Sequence, residues 1–188
     1  MQKLIFVSGP CGCGKTTFAE AYARHLCDSS GKTVYVIHGD SFHAGFVERE
    51  DKGDFFAGGE ASDKITWEKI LRFNWDCLTA TAARALEDGL DVIIDYVIEG
   101  EFSRITKLAE RYGAEFYYIV LTADAAEIER RIRSRGDTDL IGRALFLKSK
   151  LEAMPENQGH IIDNTDKTPE ETVSEIRLER FLVGEKSG

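Results

Sequence analysis

One run near the start of the chain, Gly9-Pro10-Cys11-Gly12-Cys13-Gly14-Lys15-Thr16-Thr17, carries the clearest chemistry. It fits the pattern G-x-x-x-x-G-K-[ST] without mismatch. Glycines let the backbone turn sharply and bring its N–H groups around a polyphosphate as an anion nest. The loop then opens a helix, whose N-terminal partial positive charge faces the same anion. In such a loop Lys15 would reach the β- and γ-phosphate oxygens of the polyphosphate, and the Thr16 hydroxyl would ligate Mg²⁺. The flanks agree. Lys3-Leu4-Ile5-Phe6-Val7-Ser8 is a short apolar run that reads as a buried parallel strand, and Phe18, Tyr22 and Leu26 line one face of a helix. A chance glycine-rich turn would lack both the Lys-Thr pair and this strand–loop–helix setting.

Two carboxylates stand next in interest. Thr33–His38 reads as a second strand ending in Gly39-Asp40, and Val92-Ile93-Ile94 as a third ending in Asp95. Ligands of open parallel sheets bind beyond the carboxyl ends of the strands, which puts Asp40 and Asp95 on the same crevice as the loop. An acidic strand end beside a phosphate loop helps hold Mg²⁺, so Asp95 is expected at the metal with Thr16. Arg130, Arg131, Arg133 and Arg135 crowd one later helix, and Arg143 follows the Asp137–Asp139 turn. At 3.6 residues per turn the first four cannot share one face, and most such runs are solvated. Arginine forks also neutralise charge on a transferred phosphoryl group, and Arg131 or Arg135 together with Arg143 are the candidates.

Other elements must position these groups. Residues 44–62 show no period and read as a mobile loop on the substrate side. Ser62 or Asp63 is expected to cap a long helix whose stripe runs through Trp67, Leu71, Asn74, Leu78, Ala82 and Ala85. Asn74 points either into a substrate cavity or into the core, and Trp67 and Trp75 read as core. A helix over about 101–112 stops at Gly113, Glu115–Leu121 is a fourth strand, and Asp124 with Glu127 forms a capping box. Residues 130–148 read as a lid-like segment. Gly159–Asn164 is a fifth strand, and Thr168-Pro169-Glu170-Glu171 caps a final helix. Strands alternate with helices throughout, which predicts one α/β domain over 1–188 with a five-stranded parallel sheet covered on both faces.

A chain of 188 residues can bury a sizeable core, and 43% hydrophobic with 30% charged residues marks it as globular. The net charge of −9 counts against a nucleic-acid partner. No run has the apolar length of a membrane span and the N-terminus leads straight into a strand, so the expected setting is cytoplasmic. The four cysteines and four histidines lack metal spacing. Cys11 and Cys13 fill the free positions of the loop. A redox role for them is the weaker reading, although a helix N-terminus lowers thiol pKa.

The loop, Gly39-Asp40, Thr66-Trp67, Asp91-Val92-Ile93-Ile94-Asp95-Tyr96, Gly142-Arg143 and Asp163-Asn164-Thr165 together resemble the small P-loop kinases. These include gluconate-kinase-like, shikimate-kinase-like, adenylate-kinase-like and chloramphenicol-phosphotransferase-like proteins, and the likeness runs nearly the whole chain. The resemblance implies the P-loop nucleoside triphosphate hydrolase fold. It also implies ATP and Mg²⁺ as cofactors and phosphoryl transfer to a hydroxyl of a small molecule: a sugar acid, a nucleoside-like compound or an antibiotic. By the same resemblance Asp40 is the general base or orients the acceptor hydroxyl, and Asn164-Thr165 lie where the adenine is held. The gluconate family's acidic sequence after the second strand is absent, as is the shikimate family's paired Asp and Arg signature. A polynucleotide 5′-kinase and a non-catalytic ATP-binding switch are the alternatives.

Overall fold

Alternating side-chain direction along the first strand sorts the whole molecule into layers. The computed structural model describes residues 1–46 and 65–184. On β1 (Lys3–Ser8), Leu4 and Phe6 point to one face and Ile5 and Val7 to the other, and all four are fully buried. Leu4 and Phe6 pack with α2 (Trp67–Glu87) and α3 (Phe102–Tyr112) through Trp75, Leu78, Ile105 and Leu108. Ile5 and Val7 pack with α1 (Lys15–Ser30) and α6 (Pro169–Glu175) through Phe18, Tyr22, Leu26 and Val173.

The sheet contains β1, β2 (Val34–His38), β3 (Asp91–Asp95), β4 (Glu115–Thr122) and β5 (Ile161–Asp163), all parallel, in the order β2-β3-β1-β4-β5. The expected five-stranded parallel sheet with helices on both faces is therefore present. One strand was not legible in the sequence. β6 (Leu182–Val183) pairs antiparallel with Phe116 and Tyr117 of β4, and two residues are too few to show a period.

The strand order locates the crevice. From β1 the chain passes through α1 to β2 on one side. From β4 it passes through α4 (Ala125–Arg135) and α5 (Ile141–Ala153) to β5 on the other. β1 and β4 are neighbours, so the carboxyl ends of these two strands flank a topological switch point. Helices α4 and α5, which hold most of the residues 130–148 read as lid-like, carry a small core of their own, Ile128, Ile132 and Ala144, against which Cys11 of the loop packs.

Three helix starts bear on the reading of the sequence. α6 has the expected capping box, with Thr168 and Glu171 each accepting from the other's backbone N–H. α4 has only half of one. Asp124 accepts from the Glu127 amide at 2.7 Å, but the Glu127 carboxylate turns to Arg130 and Arg131, and Thr165 Oγ1 takes the Asp124 N–H instead. α2 is capped by Thr66, which accepts from the Lys69 amide. The proposed caps Ser62 and Asp63, and residues 47–62 of the proposed loop, lie outside the described residues; Ala44–Phe46 close a 3₁₀ turn that spans Gly39–Gly45.

Candidate active site

The loop between β1 and α1 is held from both sides. Gly9 has φ +147°, and a Cβ there would lie 2.3 Å from the Leu121 carbonyl oxygen of β4, backbone that cannot step aside. Asn164 Nδ2 donates to the Cys13 carbonyl at 2.9 Å, tying the loop to the end of β5. Lys15 is buried and donates to the Pro10 carbonyl at 3.0 Å, so its amine folds back over the loop. Burial disfavours its ammonium, but Cys13, Cys11 and the carboxylates of Asp40 and Asp95 hold its pKa above the ordinary lysine value. The amine is thus a fixed positive charge at neutral pH.

Cys13 is fully buried, and that burial pushes its thiol up, against the pull of Lys15. The weaker of the two readings, activation of the loop thiols by the helix N-terminus, finds no support at Cys13, where desolvation of the thiolate outweighs the dipole. Among the described residues all four cysteines are free thiols.

Asp95 ends β3 in register with His38 of β2 and Val7 of β1. His38 Nδ1 lies 2.9 Å from Asp95 Oδ2. Burial raises the Asp95 pKa, opposed by its bonds with His38 and with the Thr16 hydroxyl. Thr16 and Asp95 are thus adjacent oxygen donors at the mouth of the phosphate loop. This donor set fits Mg²⁺, which takes one or two protein oxygens and completes its shell with phosphate and water. Asp95 thus stands beside Thr16, the residue it was expected to share a metal with, and His38, read as incidental, is bonded to its carboxylate.

Asp40 is exposed, in the first turn of the 3₁₀ segment. That turn is seated on Tyr96: a Cβ on Gly39 would lie 2.5 Å from the Tyr96 ring, so only glycine lets the backbone approach so closely. The Tyr96 hydroxyl lies 2.9 Å from His43 Nε2, and burial lowers the His43 pKa, keeping its imidazole neutral at pH 7. Trp67 packs edge-on against His43, and Trp75 packs edge-on against Tyr96 while stacking on Phe6 of the core.

Lys15, Thr16, Asp40, His43, Trp67, Trp75 and Tyr96 line one cavity of about 710 Å³, within the range of small-molecule sites, while Asp95 and His38 are not among its lining residues. Its floor is the loop with Lys15, Thr16 and Thr17. One side holds Asp40, His43, Trp67, Trp75 and Tyr96, and the other holds Arg135 and Arg143 of the lid. Trp75 is in the core as expected and also walls the cavity, whereas Trp67, expected in the core, is only half-buried and stands at the cavity wall. Asn74, fully buried, is not among the lining residues. His43, Tyr96 and Glu101 were missed in the sequence, where the only signal was position: each follows a strand end within a few residues of Asp40 or Asp95.

A second cavity of about 510 Å³ opens on the other side of Gly14 and Thr17 and contains Arg131, Asn164, Thr165 and Thr168. Arg131 does not reach the first cavity. Its guanidinium donates to Glu127 at 2.6 Å, to the Asn164 carbonyl at 3.0 Å and to the Cys13 carbonyl at 3.2 Å. The helix pitch separates the arginines: Arg131 faces β5, whereas Arg135, one turn on, reaches the phosphate side. Arg143 is held by Glu99, which also binds Lys150 at 2.8 Å.

Loop, strand order and lid are those of a P-loop kinase fold. Residues 4–158 match the family model described as AAA domain, and the chain belongs to that family. The chain is similar to a guanylate kinase of Geobacter metallireducens, 28% identical over 164 residues, covering 76% of this chain and 70% of that one. Among solved structures it is similar to a sugar kinase from Janibacter sp. HTCC2649, with 22% identity, 93% and 91% of the two chains covered and a TM-score of 0.60. It is also similar to a gluconokinase from Sinorhizobium meliloti 1021, with 19% identity, 95% and 91% covered and a TM-score of 0.56. At these identities the solved structures bear out the fold.

Proposed function

We propose that the chain is a kinase that transfers the γ-phosphoryl group of ATP to a hydroxyl of a small molecule. One observation carries this: the phosphate loop and the carboxylate of Asp40, contributed by different strand ends, line one cavity. The adenine side of ATP goes to the second cavity, beside Arg131, Asn164 and Thr165, with Gly14 and Thr17 common to both. Bound Mg²⁺, held by Thr16 and Asp95, would supply charge neutralisation at the phosphates.

The chain's own groups account for the rest. The loop amides and Lys15 fix the phosphates in place. Asp40 accepts the proton of the acceptor hydroxyl as its oxygen bonds to the γ-phosphorus and the bond to the β-phosphate oxygen breaks, leaving ADP. Arg135 and Arg143 face the equatorial oxygens, where charge gathers. Positioning and electrostatics supply nearly all that this reaction needs, so a single small domain suffices.

The similarity to guanylate kinases favours a second reading, in which a nucleoside monophosphate accepts the phosphoryl group. Such an acceptor brings a dianion of its own, which calls for arginine forks on the acceptor side. Among the described residues that side presents Asp40 and Glu101 and no arginine, since Arg135 and Arg143 belong to the opposite side, where Glu99 holds Arg143. This supports the hydroxyl acceptor.

The deciding experiment measures ADP release from Mg–ATP against sugars, sugar acids, nucleosides, nucleoside monophosphates and hydroxyl-bearing antibiotics, with mass analysis of the products. Stimulation by an alcohol that gains one phosphoryl group is the expected result. Stimulation by nucleoside monophosphates alone would transfer the assignment to the second reading. Tight ATP binding without stimulation by any compound would favour a nucleotide-binding switch.

A further inference from the structure

The cavity has two chemically different sides. Its cations, Lys15, Arg135 and Arg143, belong to the loop and the lid, where phosphate charge gathers. The side built from α2 and the ends of β2 and β3 presents Trp67, Leu71, Trp75 and Tyr96 together with carboxylates. Of these acids, Glu99 is neutralised by Arg143 and Lys150. Glu101 Oε2 accepts only from the neutral Glu99 and Gly100 amides, at 3.1 and 3.0 Å. Neither Glu101 nor Asp40 has an ion-pair partner among the described residues. Asp40 stands in the field of Lys15, but Glu101 has no countercharge and shares the cavity with two indole rings, so this side repels an anion and attracts a cation.

We infer that the acceptor is a cationic alcohol, an amine-bearing hydroxyl compound with a ring or apolar body. The inference rests on the kinase reading of the same cavity. The ammonium lies against Glu101 and the tryptophan rings, the body fills the apolar side, and the hydroxyl is delivered to Asp40. A sugar acid or a phosphorylated acceptor would instead set its own charge against Asp40 and Glu101, with the lid cations already facing the phosphates of ATP.

Three alcohols sharing one body test this: 2-amino-1-phenylethanol, 1-phenylethane-1,2-diol and mandelate. Their affinities are measured by calorimetry at pH 7 with Mg²⁺ and a non-hydrolysable ATP analogue, and phosphorylation is followed separately with ATP. The amine should bind at least about tenfold more tightly than the diol, and mandelate more weakly than either. Glu101→Gln keeps an oxygen for the Glu99 and Gly100 amides, so the turn persists. It should remove most of the amine's advantage while leaving affinity for the diol and for the ATP analogue unchanged. Equal or tighter binding of the diol or of mandelate overturns the inference, and so does an amine preference that survives Glu101→Gln. Amine binding without any phosphorylated product would overturn the kinase reading alone. Phosphorylation confined to the diol or mandelate would overturn the inference alone.

Discussion

Asp40 and Asp95, near the ends of neighbouring strands, stand in different surroundings, and the roles proposed for them follow from that difference. Asp95 is 4% exposed and bound to His38 beside Thr16, a setting that fixes a ligand oxygen in one place. Asp40 stands exposed on a turn that Tyr96 supports, where its carboxylate can receive a proton and release it to water. Asp40→Asn should therefore leave ATP affinity within a few-fold while lowering turnover by about 10²–10⁴-fold. Steady-state kinetics with the identified acceptor will check this; near-normal turnover would remove Asp40 from the proton path, and lost ATP affinity would place it at the metal. Arg131 behaves differently. Because it lines the second cavity, proposed above for the adenine, Arg131→Ala should raise KM for ATP by about tenfold or more and change KM for the acceptor little. An unchanged KM for ATP together with a large fall in kcat would return Arg131 to the transferred phosphoryl group.

Helix α4 is joined to the loop and the end of β5 by Arg131, and Glu127 holds Arg131 in place while also pairing with the exposed Arg130. Hydrogen bonds from Arg130 first, and then Arg131, bring the Glu127 carboxyl down to about 2 from its ordinary 4.5. A carboxyl whose pKa is lower in the folded state stabilises fully above its unfolded value and loses that contribution as pH falls through the folded one. The melting temperature of the native chain should exceed that of Glu127→Gln at pH 6, and the gap should close between about pH 4.5 and pH 2. A gap that stayed constant over that range would show that the ion pairs contribute nothing. The Glu127–Arg130 pair is mostly exposed on the arginine side, so the difference in melting temperature at pH 6 should be small.

At the scale of the molecule, the two cavities share Gly14 and Thr17, so a triphosphate that spans them joins α4, the loop and β5 into one unit. A ligand that binds only the folded state stabilises it by about 2.7 kcal/mol at a hundredfold excess over Kd. For a chain of this size that should raise the melting temperature by roughly 5–10 °C. Differential scanning fluorimetry with Mg²⁺ and a non-hydrolysable ATP analogue should show this rise in the native chain and lose most of it in Lys15→Ala. No shift in the native chain would contradict nucleotide binding. The described residues contain no helix long and apolar enough to cross a membrane.

What could be read in the sequence was short-range in origin. The phosphate loop is one contiguous pattern, the five parallel strands are contiguous apolar runs, and the α6 cap is set by neighbours three residues apart, so spacing alone determines them. Asp40 and Asp95 were also legible, because strand ends face the crevice of any open parallel sheet. The rest depended on contacts between residues far apart in the chain. Only the fold could show that Arg131 reaches Cys13 and Asn164, that Thr165 completes the Asp124 cap, that Tyr96 seats the turn carrying Asp40, and that two tryptophans wall a cavity. Side-chain direction at these positions is decided by packing across the sheet, and a period of 2 or 3.6 residues carries no information about which distant element supplies the partner.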